Sequence, residues 1–247
     1  MSVAVLIPWR PGCLYRQRAL EYVKGRYEAA RYPVAVGVHK GGSWCKAKAV
    51  AAALDATNAE VVVLADADVW CDNLPEALQA LSDGFRWSIP HRSVHRLDER
   101  STALYQAGAG PETLTLSERA YAGVEGGGIV VIRREDYEAC PLDPRFTGWG
   151  QEDEAWGFAL RCLYGPPWRP TRHAPLWHCW HPPPERMTRA RGNQASWHLR
   201  VRYARARHDP DAMRRLIEEG RHDTSTVQAG RDTDPTVVAS QGLPVSR

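Results

Sequence analysis

Three short segments concentrate side chains able to do chemistry. Asp66-Ala67-Asp68 places two carboxylates one residue apart. Hard oxygen donors at that spacing can hold Mg²⁺ or Mn²⁺ while the ion's remaining positions take diphosphate oxygens. Gly148-Trp149-Gly150-Gln151-Glu152-Asp153-Glu154 sets an indole between glycines, ahead of three acids. The glycines let backbone approach a ligand, the indole offers a flat apolar face, and the acids supply candidate general bases. His178-Cys179-Trp180-His181-Pro182-Pro183-Pro184 carries two imidazoles three residues apart, which can ligate one metal, and prolines that stiffen the segment. No HExxH signature of a catalytic zinc site is present. Cys179 points away from its neighbours in a strand or turn and is left out of the metal set. Each segment also has a plainer reading. A DxD triplet arises in ordinary surface turns, acids in a first helical turn are favoured by the helix dipole, and a lone histidine pair is commonly structural.

The elements that must position these residues follow from the apolar pattern. Val3 to Ile7 is an apolar run ended by Pro8, which reads as a buried parallel strand. Gln17 to Ala30 has helical spacing, and Tyr32-Pro33 breaks it before a second strand, Val34 to Val38. Ser43 is placed to cap a helix reaching about Thr57, and Val61 to Ala65 is a third buried strand that stops at the Asp66 triplet. Strand and helix alternating five times predict a doubly wound α/β sheet, whose ligands bind outside the carboxyl ends of the strands. Residues 90–120 show no sustained period and read as a long surface loop. Gly126-Gly127-Gly128 leads into a strand from Ile129 to Ile132, and Glu152 to Leu163 reads as a helix closed by Gly165. Asn193 to Glu219 is helical in pattern, restarted by Asp209-Pro210 and closed by Gly220, with a disordered tail expected beyond it.

Composition bounds the rest. The chain has 247 residues, 43% of them hydrophobic and 25% charged, with a net charge of +3. That fits one globular domain with a real core and excludes a disordered chain, a collagen-like fibre or a disulfide-stapled miniprotein. No apolar run approaches the ~20 residues a bilayer span needs. The six cysteines form no CxxC pair and the first residues lack a signal-peptide pattern, so a reducing cytoplasm is the expected location. Ten tryptophans against three phenylalanines suggest platforms for flat or ring-shaped ligands, or equally a Trp-rich core.

Taken in order and spacing, the segments resemble nucleotide-sugar glycosyltransferases of the GT-A fold. The resemblance rests on a strand ending in Asp-x-Asp, a Gly-rich strand, Phe146-x-Gly-Trp-Gly-x-Glu-Asp-Glu and His-x-x-His-Pro. The most similar group is family 2-like, with a C-terminal half like those of β-1,4-galactosyltransferases, polypeptide N-acetylgalactosaminyltransferases and bacterial chondroitin polymerases. The match covers roughly residues 3 to 185; residues 90–120 and those after 185 match nothing in it. It implies a Rossmann-like, mostly parallel sheet flanked by helices, in one domain over 1–185. A helical extension over 186–220 and a tail over 221–247 complete the expected layout.

The resemblance also implies roles. Asp68 falls on the metal triplet as a direct ligand, Asp66 nearer the ribose or the ion, and His181 and His178 where relatives complete the metal site with Mn²⁺ or Mg²⁺. Asp153 matches the catalytic base and Glu152 its acceptor-orienting neighbour. Pro8, Trp9, Arg10 and Lys46 fall where relatives hold the nucleotide, and Gly127, Gly128, Trp149 and Gly150 where they meet sugar or acceptor. The expected reaction is metal-dependent, inverting transfer of a hexose or N-acetylhexosamine from a nucleoside-diphosphate sugar, a UDP-sugar first, to a hydroxyl of a glycan, a protein or modified DNA, with no membrane partner. A metal-dependent hydrolase would use the same Asp66, Asp68, His178 and His181 to activate water, but leaves the Gly-Trp-Gly-Gln-Glu-Asp segment unexplained. A non-catalytic sugar-binding module is the third reading. Between Glu185 and Arg221 ten arginines face five acids, a pattern that could track phosphates; the 28 arginines against four lysines of the whole chain favour a solvated helix face instead.

Overall fold

The computed structural model describes residues 1–182 and 193–229. Pro183 and Pro184, the arginines Arg186, Arg189 and Arg191, and residues 230–247 of the expected tail lie outside the described residues. In chain order the elements are β1 (Val3–Trp9), α1 (Leu14–Ala29), β2 (Val34–Val38), α2 (Lys46–Leu54), β3 (Val61–Ala65), β4 (Val69–Trp70), α3 (Leu74–Ser82), β5 (Trp87–Ser88), β6 (Ser93–Arg96) and α4 (Glu99–Gln106). They continue with β7 (Ile129–Arg133), α5 (Arg134–Ala139), α6 (Glu152–Tyr164), β8 (Pro175–His178), α7 (Gln194–Ala206) and α8 (Pro210–Ala229).

A five-stranded sheet in the order β2-β1-β3-β7-β5 forms the centre of an α/β fold, and a second sheet has the order β4-β8-β6. β2, β1 and β3 are parallel, while β7 runs antiparallel to both β3 and β5. The sheet is therefore mixed, with one reversed strand among four that share a direction. Val61 to Ala65 is buried along its whole length, as a strand covered on both faces must be. Alternation along the strands sorts their side chains between two cores. Leu6, Val62, Leu64, Val130 and Ile132 pack with α2, α6, α7 and α8, whereas Val5, Ile7, Val61, Val63, Ile129 and Val131 pack with α1 and α3.

Several expectations shift. β1 continues through Pro8 to Trp9. Val5 N donates toward β2, to Pro33 O at 2.8 Å, so by the two-residue period the nitrogen of Pro8 faces β3, where pairing ends at Leu6; no ladder bond is lost there. α1 begins at Leu14, three residues earlier than the pattern suggests, and α2 follows Cys45 rather than a Ser43 cap. Residues 90–120 are not a loop. They hold β6, α4 and a 3₁₀ turn at Pro111–Thr113, with Asp98 capping α4 by accepting from Ser101 N at 2.6 Å. Elements of four and eight residues carry too few apolar positions to show a period. Gly220 does not end α8, which runs on to Ala229. A Cβ at Gly220 would stand 3.0 Å from Asp143 Oδ1, so this glycine serves a close approach between helix and loop.

Gly37 makes the tightest such approach. A Cβ there would fall inside the carbonyl of Ala49 on α2. Gly37→Ala is therefore expected to push α2 off β2 and cost about 3 kcal/mol, read as a lower urea midpoint. An unchanged midpoint would contradict this packing.

Candidate active site

A cleft of about 890 Å³ opens at the carboxyl ends of β1 and β3. Pro8, Arg10, Asp66 and Asp68 line it from those strand ends, Lys46 from α2, Glu152 and Asp153 from α6, and His178 and His181 from the end of β8. Backbone bonds bring segments far apart in sequence together. Cys179 N donates to Asp68 O at 2.8 Å, Val69 pairs with His178, and Asp66 N donates to Gly128 O at 3.0 Å.

On one side Asp68, His178 and His181 converge, their ligand atoms all within 4.8 Å of one another. His181 Nε2 lies 3.3 Å and Arg16 Nε 3.2 Å from Asp68 Oδ2, and His178 Nε2 lies 3.9 Å from Oδ1. Burial opposes the charge of Asp68, but His178, Arg16 and His181 outweigh it and hold the carboxyl down at about 2. Burial also depresses His178, disfavouring its imidazolium form. Arg16 is thus the partner of Asp68 whose charge does not depend on pH.

On the other side Lys46 bridges two carboxylates. Its Nζ lies 2.7 Å from Asp66 Oδ1 and 2.7 Å from Asp153 Oδ1. Burial disfavours the ammonium, but Asp153, Asp66 and Glu152 overcome it and raise its pKa. Burial raises Asp153, an effect Lys46 partly offsets. Burial, then Asp153, push Glu152 up to about 8, and Glu152 Oε2 has no hydrogen-bond partner among the described residues. Burial and Asp153 thus favour the proton on Glu152, whereas the Lys46 ammonium favours the charged form of Asp153.

Aromatic rings close one wall. Trp149 stacks on Trp44 at 5.3 Å and 23°, and the Arg16 guanidinium lies 4.5 Å over the Trp149 ring. Gly148, Gly150 and the N-cap residue Gln151 all have φ between 79° and 91°, the left-handed turns that bring Trp149 back over the cleft. Trp180 lines the cleft with its ring edge-on to Tyr15 at 4.8 Å.

Not every expected residue reaches the cleft. Trp9 is 8% exposed and packs in the α1 core with Val5 and Ile7, because strand alternation turns it away from the face of Pro8 and Arg10. Gly127 and Gly128 stand behind the wall. A Cβ on Gly127 would sit 3.2 Å from Asp153 Oδ2 and one on Gly128 2.6 Å from Leu176 Cδ2, so these glycines let α6 and β8 approach, and Gly128 N donates to Asp66 Oδ2 at 3.3 Å. Glu154 points outward to Arg200 at 3.0 Å. The structure adds Arg16, Arg96 and Glu118 to the lining. Arg16 shows no signal beyond a charge on the helix after β1, and Arg96 and Glu118 fall in the stretch that reads as a loop. In the arginine-rich C-terminal segment Arg202 pairs with Glu219, Arg214 with Asp211, and Arg221 donates to Glu138 O. Those arginines pin helices. No described helix is long and apolar enough to cross a membrane.

No family model matches the chain, and no curated protein matches it. Among solved structures 103 chains match. The catalytic domain of a Drosophila beta-1,4-galactosyltransferase 7 in complex with xylobiose is 14% identical, over 70% of this chain and 67% of that one, with a TM-score of 0.44. Glucosyl-3-phosphoglycerate synthase from Mycobacterium tuberculosis, solved with Mn²⁺, UDP and glucosyl-3-phosphoglycerate, is 15% identical over 83% and 79% of the two chains, with a TM-score of 0.44. GalNAc-T7, solved with UDP, GalNAc and Mn²⁺, is 12% identical over 94% of this chain and 57% of that one, with a TM-score of 0.49. This chain thus spans about two thirds of the galactosyltransferase chain and little more than half of GalNAc-T7. At these identities the likeness lies in the course of the backbone alone.

Proposed function

We propose that the chain is an inverting, divalent-metal-dependent glycosyltransferase that moves a sugar from a nucleoside-diphosphate sugar, a UDP-sugar first, to an acceptor hydroxyl. The observation that carries this reading is one cleft holding an Asp-His-His cluster on one side and a clamped carboxylate, Asp153, on the other, with Asp66 linked to Asp153 through Lys46. The motif resemblance to GT-A enzymes points the same way. A hydrolase reading accounts for the cluster but gives Asp153 and the Trp149 wall nothing to do.

The donor set fits a divalent ion. One carboxylate oxygen and two imidazoles, with burial disfavouring the charged form of His178, suit Mn²⁺ better than the all-oxygen preference of Mg²⁺. Such an ion, held by Asp68, His178 and His181, supplies Lewis-acid stabilisation of the negative charge on a departing diphosphate. The protein's own groups do the rest. Pro8 and Arg10 border the nucleotide end, and Arg16 and Lys46 place positive charge beside the phosphates. Asp153 accepts the proton of the attacking hydroxyl as that oxygen approaches the anomeric carbon opposite the diphosphate. A single displacement inverts that carbon. Glu152, protonated beside Asp153, can donate a hydrogen bond to the acceptor. Glycans, proteins and modified DNA all carry suitable hydroxyls.

A thermal-shift panel of UDP-, GDP- and dTDP-sugars with and without Mn²⁺ tests the donor half. A ligand at 100 times its dissociation constant adds about 2.7 kcal/mol to the native state, so a stabilisation that needs both UDP-sugar and Mn²⁺ is expected. His181→Ala and Asp68→Ala should abolish the Mn²⁺-dependent part of that shift. Stabilisation by no nucleotide sugar would overturn the proposal. Release of free sugar that no acceptor accelerates would move the assignment to a hydrolase.

A further inference from the structure

Arg96 stands at the end of β6 directly opposite His178 in the β6–β8 register, so the backbone fixes their proximity. Its Nη1 lies 3.2 Å from His178 Nε2. Arginine only donates hydrogen bonds, so the contact requires a lone pair on that nitrogen, with the ring proton on Nδ1. The same nitrogen faces Asp68 Oδ1 and is the atom an ion in the Asp68–His178–His181 cluster would take. One lone pair cannot serve both. A guanidinium also stays charged at every pH and is repelled by a divalent ion at that distance.

The other end of the side chain is anchored. Arg96 Nε donates to Tyr121 Oη at 2.8 Å and lies 3.1 Å from Glu118 Oε1, both on the segment that follows the 3₁₀ turn. Arg96 and Glu118 both line the cleft. The guanidinium is rigid, so its Nη groups leave His178 for the cleft as the whole plane turns about Cδ–Nε, while Nε itself stays in place between Tyr121 Oη and Glu118 Oε1. There it meets the anion that an ion in the cluster would hold.

We propose that Arg96 is an exchangeable donor-site residue: the divalent ion displaces it from His178, and the freed guanidinium grips the diphosphate of the nucleotide. This rests on the glycosyltransferase reading only for the identity of the anion; the competition for His178 stands on the geometry. The exchange makes ion and nucleotide binding mutually reinforcing, because Arg96 opposes the ion alone and favours the ion with its diphosphate.

The test uses the full chain and two titrations, Mn²⁺ followed by the EPR signal of the free ion, and UDP at saturating Mn²⁺ by calorimetry. Arg96→Gln is expected to bind Mn²⁺ alone about tenfold more tightly and UDP roughly tenfold to a hundredfold more weakly, the range set by a lost charged hydrogen bond. Tyr121→Phe, which loosens the anchor and keeps the guanidinium, should weaken UDP several-fold while leaving Mn²⁺ affinity near that of the wild type. Opposite signs for the two ligands in Arg96→Gln separate exchange from a structural role, which would weaken both. Mn²⁺ affinity unchanged or lowered in Arg96→Gln, or UDP affinity unchanged, would overturn the proposal. A wild-type chain that binds no Mn²⁺ overturns it together with the metal-dependent reading. A chain that binds Mn²⁺ with the predicted Arg96 effect but turns over no nucleotide sugar overturns only the latter.

Discussion

Asp153→Asn is expected to reduce sugar transfer by roughly 10³-fold, within the range of a lost general base, and to leave nucleotide-sugar binding within a few-fold of the wild type. The amide keeps the shape of the carboxylate and an oxygen for Lys46 Nζ, now 2.7 Å from Asp153 Oδ1. It cannot take up a proton. Lys46 keeps its second partner, Asp66 Oδ1 at 2.7 Å, so that end of the cleft stays organised. Glu152 is a poor substitute base, since burial raises its pKa whether or not residue 153 is charged and its Oε2 is shut away from the cleft. The two acids lie side by side, so the acid limb of the rate profile belongs to the pair and not to one residue. Initial rates of UDP release with acceptor, set beside the Mn²⁺-dependent thermal shift, give both halves of the result. Transfer at the wild-type rate would sink the role of Asp153; loss of donor binding in parallel would make it a structural residue instead.

What the sequence made legible was what local physics writes into it. β3 falls on its apolar run because a strand covered on both faces needs nothing but apolar residues, and β2, half-buried at the sheet edge, is bounded by the Tyr32-Pro33 break. The acids and histidines stood out because few chemistries use those types at those spacings. Direction was not legible: an apolar run such as the first four residues of Ile129–Arg133 has the same pattern whichever way it runs, so the reversal of β7 had no sequence mark. Parity was legible in principle. Trp9 alternates with Pro8 and Arg10, and one residue's shift along a strand puts a side chain in the opposite core. Arg16, Arg96 and Glu118 were not legible, because a single charged residue on a helix, a four-residue strand or an irregular segment carries no period and no motif. The Lys46 bridge is the clearest such case. Its partners stand 20 and 107 positions away, and only the gathering of α2, α6 and the sheet into one core brings the three together.

That bridge also sets the last expected result. Lys46→Met removes the single cation that the structure places between Asp66 and Asp153 and leaves both, with Glu152, in a partly buried pocket. Breaking a buried ion pair by removing one partner costs about 3–5 kcal/mol, and partial exposure of Asp66 and Asp153, 28% and 25%, puts the expected loss toward the lower figure. The carboxyls respond by holding protons more tightly, so Asp153 and Glu152, already raised by burial, rise further. A carboxyl whose folded pKa exceeds its unfolded value binds more protons when folded. Its penalty is full above the folded pKa, about 8 or higher for Glu152, and vanishes as pH falls toward the ordinary carboxylate range. The deficit of Lys46→Met relative to wild type should therefore be largest near pH 8–9 and shrink on acidification, which urea unfolding at several pH values reads directly. Transfer should fall at least about 10²-fold at neutral pH and recover in part as pH rises, because the raised Asp153 then ionises. The two properties thus move in opposite directions with pH. Adding Asp153→Asn to Lys46→Met removes one of the stranded acids, and the double variant should regain part of the lost stability, a coupling of about 1–3 kcal/mol. A double variant as unstable as the two single losses added together, or a deficit that does not change with pH, would show that Lys46 holds the pocket by packing its stem and not by its charge.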